Sequence, residues 1–213
     1  MVAEGQYLER AVIIPAGAHA LEGLFHRGTK KTGVLICPPG PVTGGSMESA
    51  VVAELAWAVT RAGHPTLRFN YAGVGASPGT FSVPGARSDA SSALAHLKAC
   101  LSEDADVALI GVGLGAEVGA ELAVDVPFDA AFLVLPRASC LPERLAATRH
   151  VVVAVPELGD ATEAEALSEW GETAVRDFRL VRLARADPSF RRGLVELGRA
   201  AAETISPPGM VEL

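Results

Sequence analysis

Val107-Ala108-Leu109-Ile110-Gly111-Val112-Gly113-Leu114-Gly115-Ala116 is an apolar run that passes directly into alternating glycines. A run of this length, rich in Val and Ile and bounded by glycine, predicts a buried strand at 107–110, followed by a tight turn and a helix. The same grammar recurs on both sides. Gly33-Val34-Leu35-Ile36-Cys37, Pro65-Thr66-Leu67-Arg68-Phe69-Asn70-Tyr71, and the runs at 130–135, 151–155 and 178–183 read as further strands, several of them apolar throughout. Strands of that kind are buried on both faces, as in a mostly parallel sheet covered by helices. Ahead of them, 6–14 and 19–27 alternate polar and apolar residues and suit an antiparallel edge pair.

Between the strands the period changes to that of a helix. Met47, Val51, Leu55 and Val59 lie four apart, on a helix that ends at Gly63 and that Ser46 is placed to cap. A helix over 86–101 presents Ala93, Leu94, Leu97 and Leu101, and the last presents Phe190, Leu194, Leu197 and Ala201. Ser206-Pro207-Pro208-Gly209 breaks the pattern, so the expected organisation is one α/β domain over 1–205 and a tail over 206–213. With 213 residues, the chain is long enough to bury a core without a disulfide or metal staple.

Composition narrows the function. A net charge of −7 with no block of Lys and Arg argues against nucleic acid and anionic membrane as partners. Three cysteines, Cys37, Cys100 and Cys140, are an odd number without CxxC spacing, which suits a reducing compartment. The first residues lack the basic and apolar regions of a signal peptide, and no stretch approaches 18 apolar residues, so the expected location is the cytoplasm.

In an open parallel sheet, ligands collect at the carboxyl ends of the strands. Those places here are Pro38-Pro39-Gly40-Pro41-Val42-Thr43-Gly44-Gly45-Ser46-Met47, Ala72-Gly73-Val74-Gly75-Ala76-Ser77, Gly111 to Gly115, and Ala184-Arg185-Ala186-Asp187-Pro188. Taken in order over about residues 20–205, they resemble the α/β-hydrolase superfamily, most closely its small lidless esterase-like members related to dienelactone hydrolases.

The resemblance implies an α/β-hydrolase-like sheet with helices on both faces, and a nucleophile at the centre of G-x-S-x-G. That position is Gly113, which has no side chain to attack with. The base implied after the last strand falls where Asp187-Pro188 stands, and the five histidines, His19, His26, His64, His96 and His150, all come earlier. For the acid, Gly159-Asp160-Ala161-Thr162 puts Thr162 at the implied place, with Asp160 the nearest carboxylate. Where relatives carry His-Pro-His-Pro this chain has Pro38-Pro39-Gly40-Pro41, so Gly40 and Leu114 are the candidate oxyanion donors. Ala72 stands where relatives often have arginine.

These features lead to the expectation of a hydrolase-like protein without a catalytic triad. It would bind a small molecule or a protein partner through Gly40, Ser46, Asn70, Tyr71, Gly113, Leu114, Asp160 and Pro188, with no catalytic residue, metal or cofactor. Two other readings stay open. The pocket could serve lyase, isomerase or Cys37-dependent chemistry, although a cysteine that ends a buried strand is also a structural thiol. Gly111-Val112-Gly113-Leu114-Gly115-Ala116 also fits the dinucleotide fingerprint, with Arg137 a partner for a 2′-phosphate, but no acid ends the next strand. Asp160, Glu163, Glu165 and Glu169 read as a solvated helix face rather than as metal ligands.

Overall fold

The computed structural model describes residues 9–145 and 147–206. Eight strands form one sheet: β1 (Arg10–Ala16), β2 (His19–His26), β3 (Gly33–Cys37), β4 (Thr66–Phe69), β5 (Val107–Val112), β6 (Ala130–Val134), β7 (His150–Pro156) and β8 (Phe178–Leu183). Their spatial order is β1-β2-β4-β3-β5-β6-β7-β8. From β4 to β8 every neighbouring pair is parallel, while β2 runs antiparallel to both β1 and β4.

Alternation along the strands divides the core in two. Leu35, Cys37 and Leu109 face α2 (Val83–Ala99), α3 (Leu114–Asp125) and α4 (Ala161–Ala174), whereas Val34, Ile36, Ala108 and Ile110 face α1 (Ala50–Arg61) and α5 (Leu194–Ile205). Every residue of β3, β5 and β6 is buried, as expected for strands covered on both sides. Each fully buried Leu, Ile or Phe contributes about 1.5–3 kcal/mol, so these central strands anchor the fold.

Three helix starts differ from the expectation, α2 beginning at Val83 rather than at 86 with Ser82 as its cap. Ser46 does not cap α1: its Oγ accepts the Glu48 N–H at 3.2 Å, and the helix begins three residues later, after Ser49. Met47 therefore lies ahead of the helix. Its N–H donates to Asn70 Oδ1 at 2.8 Å and its carbonyl accepts from Arg68 at 2.8 Å, and these two bonds to the end of β4 hold it out of helical geometry. Phe190 likewise precedes α5, in a turn with φ +51°. β4 ends at Phe69, two residues sooner than expected. Gly63 does follow α1 with a left-handed φ of +95°. Of the segment 206–213, only Ser206 lies among the described residues, and so the expected tail falls outside them.

Candidate functional site at the carboxyl ends of the strands

β5 passes into α3 through Gly113, whose backbone sits at φ +54°, ψ −121°. Few side-chain-bearing residues tolerate that conformation. The turn is held by the Gly113 N–H, which donates to Val134 O at 2.8 Å, and by the Gly113 carbonyl, which accepts from Ala116 N at 2.9 Å.

The three glycines of the turn do different work. A Cβ on Gly111 would lie 2.5 Å from Ala116 Cα, and one on Gly115 would lie 2.2 Å from Cys37 O and 2.4 Å from Pro38 O. Those two positions are closed by backbone. A Cβ on Gly113 would find nothing nearer than Pro39 Cβ at 3.9 Å, so a side chain there would have room.

Across the turn lies the loop after β3. Gly40 is buried, and a Cβ on it would meet Leu114 Cδ2 at 2.6 Å, which brings Gly40, Gly113 and Leu114 together. The Gly40 carbonyl accepts from Gly45 N and Thr43 Oγ1, both at 3.2 Å. Among the described residues no hydrogen bond engages the N–H of Gly40 or of Leu114. Both donors thus lack a protein acceptor, and the Leu114 N–H belongs to the positive end of α3.

The remaining candidates have varied surroundings. Asp160 is an exposed N-cap of α4, accepting from Thr162 N at 2.9 Å and Glu163 N at 3.3 Å. Pro188 is exposed beside Asp187, whose carboxylate takes the Ser189 hydroxyl at 2.5 Å and the backbone N–H groups of Ser189 and Arg192, each at 2.9 Å. These bonds hold the Asp187 carboxyl down at about 2, the Ser189 hydroxyl contributing most. Asn70 is buried in a polar knot, accepting from Met47 N and donating Nδ2 to Glu22 Oε2 at 2.9 Å. Tyr71 lies in the core. It is fully buried, with its ring edge-on to Phe69 and Phe81 and its hydroxyl without a hydrogen-bond partner.

The residues of the alternative readings have definite places too. Cys37 is fully buried, and that burial pushes its thiol up to about 12, so almost none is thiolate at neutral pH. Arg137 makes a bidentate pair with the buried Glu117, Nε to Oε1 at 2.7 Å and Nη2 to Oε2 at 2.9 Å, which ties its guanidinium to α3. Glu163 accepts the Ala138 N–H at 2.6 Å. Among the described residues no group of three His, Cys, Asp or Glu could hold a metal ion, and no helix is long and apolar enough to cross a membrane.

Three features escaped the sequence reading. Because β2 is antiparallel to β4, its first residue, His19, lies at the same end of the sheet as Gly113, with Nε2 3.5 Å from the buried Asp89. It is three strand spacings from β5, roughly 14 Å at about 4.8 Å per spacing and beyond the reach of direct proton transfer. Leu135, Arg185 and Phe190, on the loops after β6 and β8, all have positive φ. Such strain gathers at functional sites, and here it lies on one side of Gly113, at the same end of the sheet. Glu117 could have been found, since it stands among apolar residues four positions after Gly113.

Solved structures share this architecture. An α/β serine hydrolase homologue from Coxiella burnetii superposes with a TM-score of 0.82 over 92% of this chain and 97% of its own, at 24% identity. The chain has the α/β-hydrolase fold. A lidless α/β serine hydrolase from Xanthomonas campestris gives a TM-score of 0.82 at 22% identity, covering 92% of this chain and 93% of its own. A dienelactone hydrolase from Anabaena variabilis gives 0.77 at 21% identity, covering 94% and 97%. No protein-family model and no curated protein matches the chain.

Proposed function

We propose that this chain is a non-catalytic α/β-hydrolase-fold protein, which binds a small molecule or a protein partner in the cradle beside Gly113 without turning it over. One observation carries the reading. The turn between β5 and α3 keeps the strained geometry that would present a nucleophile, keeps both closed glycine positions, and has room for a side chain, yet position 113 is glycine.

Two further facts support it. Asp187 and Asp160 are engaged by backbone N–H groups, and His19 stands about three strand spacings from the turn. Loss of the serine or the histidine from a triad costs about 10⁶ in rate, and loss of both costs little more. The two N–H groups of Gly40 and Leu114 would instead receive a ligand carbonyl or carboxylate oxygen. The Cys37-dependent alternative is disfavoured by the complete burial of that thiol.

The test has two arms. Purified protein is offered p-nitrophenyl esters and small lactones, and release beyond one equivalent per chain is followed. No multiple turnover is expected, and sustained turnover that survives active-site titration would sink the proposal. In parallel, protein isolated from its own host is examined by native mass spectrometry and crystallography. A defined molecule or partner against Gly40, Gly113 and Leu114 supports the reading, whereas a cradle filled by the protein's own side chains rejects it.

A further inference from the structure

At the opposite end of the sheet, His64 precedes β4, Lys30 lies in the turn before β3, and Ser206 closes α5. The chain brings the first two together through Gly63, whose carbonyl accepts the N–H groups of Thr29 and Lys30, both at 2.9 Å. Ser206 arrives from 142 residues away, and its Oγ lies 2.6 Å from His64 Nε2 and 2.6 Å from Lys30 Nζ.

The direction of these bonds follows from chemistry. His64 Nδ1 is 2.8 Å from Thr32 O, a carbonyl that only accepts, so Nδ1 carries the hydrogen. Nε2 of the neutral ring is then a lone pair. The Ser206 hydroxyl must donate to it, while the Lys30 ammonium donates to the same Oγ. Burial of His64, with Lys30 nearby, holds the imidazole below its ordinary 6.5 and hence unprotonated at neutral pH. A hydroxyl bonded to a base that is itself oriented by a third group is the arrangement of an activated nucleophile. Here the cation stabilises negative charge on the attacking oxygen, and Ser206 as a residue is only half-buried.

We propose that Ser206 is an acylation site, a nucleophile primed by His64 that accepts an acyl group from activated donors such as aryl esters, thioesters or acyl phosphates. In the step, Ser206 Oγ forms a bond to the acyl carbon and the bond from that carbon to the leaving group breaks. The hydroxyl proton passes to His64 Nε2 and from there to the leaving group or solvent. No oxidant, reductant or metal is required. This site is independent of the cradle beside Gly113, and either reading can fail without the other.

The test uses p-nitrophenyl acetate on the full chain near pH 8, with peptide mapping by mass spectrometry. Expected are one equivalent of p-nitrophenolate and one acetyl group on the peptide that holds Ser206, formed faster than on any other serine. Ser206→Ala should abolish it, and His64→Gln should slow it by roughly 10²–10⁴. Since His64 is buried, Lys30→Gln, an exposed change, provides a second variant and should slow labelling while leaving the circular dichroism spectrum intact. Acetyl groups confined to lysines, labelling unchanged in Ser206→Ala, or an unlabelled Ser206 in folded protein would each overturn the proposal, since a hydrogen bond that only fastens α5 predicts no selective reaction.

Discussion

Gly113 occupies a backbone conformation that an L side chain enters at a cost, and it has space around it. The two facts give opposite predictions for a substitution, and the conformation should win because the space adds no contact. Gly113→Ala is expected to destabilise the protein by about 1–3 kcal/mol in urea unfolding, a loss set by φ rather than by a clash. Gly115→Ala should cost more, because its Cβ would overlap the Cys37 and Pro38 carbonyls. Gly113→Ser, compared with Ser206→Ala as background, should give no sustained ester turnover, and appreciable turnover would mean that a base stands within reach of the turn. Cysteine reactivity offers a separate check. Cys100 is exposed, Cys140 partly so and Cys37 buried. Titration of native protein with a disulfide reagent at pH 8 should therefore reach two thiols, the third appearing only after unfolding. Prompt reaction of Cys37 would revive the thiol-dependent reading.

Among the elements, the central strands β3, β5 and β6 were legible as apolar runs next to glycine or proline: β3 matches its expected residues, and β5 and β6 differ at one end by one or two, while the edge strand β8, with Arg179 and Arg182 in it, also matches. Helix starts were not legible where a distant hydrogen bond decides them. Met47 has the right spacing for α1, yet its N–H and carbonyl are claimed by Asn70 and Arg68, more than twenty residues later in the chain. The same knot fastens the edge pair to the parallel strands, since Glu22 accepts from Asn70 Nδ2 and Ala76 N while Ser77 Oγ bridges Glu22 N and Asn70 O. Asn70→Ala strips the acceptor from the buried Met47 N–H and should destabilise the fold by about 1–3 kcal/mol. Its hydrogen-exchange protection should fall first at Met47 and β2. A loss spread evenly over all strands would show that the knot is not a local fastener. Within the candidate site, Gly40, Gly113 and Leu114 were reached through the order of the loops and the family resemblance that this order carries. The positions of His19 and of the Ser206–His64 pair could not, because one depends on strand direction and the other on where α5 ends.

For the whole molecule, His64 couples the far end of the sheet to pH. The ring is buried as the neutral species, with Nδ1 on the Thr32 carbonyl and Nε2 receiving the Ser206 hydroxyl. Adding a proton at Nε2 would turn that acceptor into a donor toward an oxygen already facing the Lys30 ammonium, placing two cations on one hydroxyl. The folded imidazole therefore has its pKa below the 6.5 of an unfolded one. As pH falls through about 6.5, the unfolded chain takes up a proton that the folded chain refuses, and stability declines until the folded pKa is passed. Stability from this residue is thus fully present above about pH 6.5 and is lost on the acid side. Thermal unfolding between pH 8 and pH 5 should show a falling midpoint in wild-type protein and a flatter profile in His64→Gln, each referred to its own value at pH 8. Identical profiles for the two proteins would remove His64 as the coupling group.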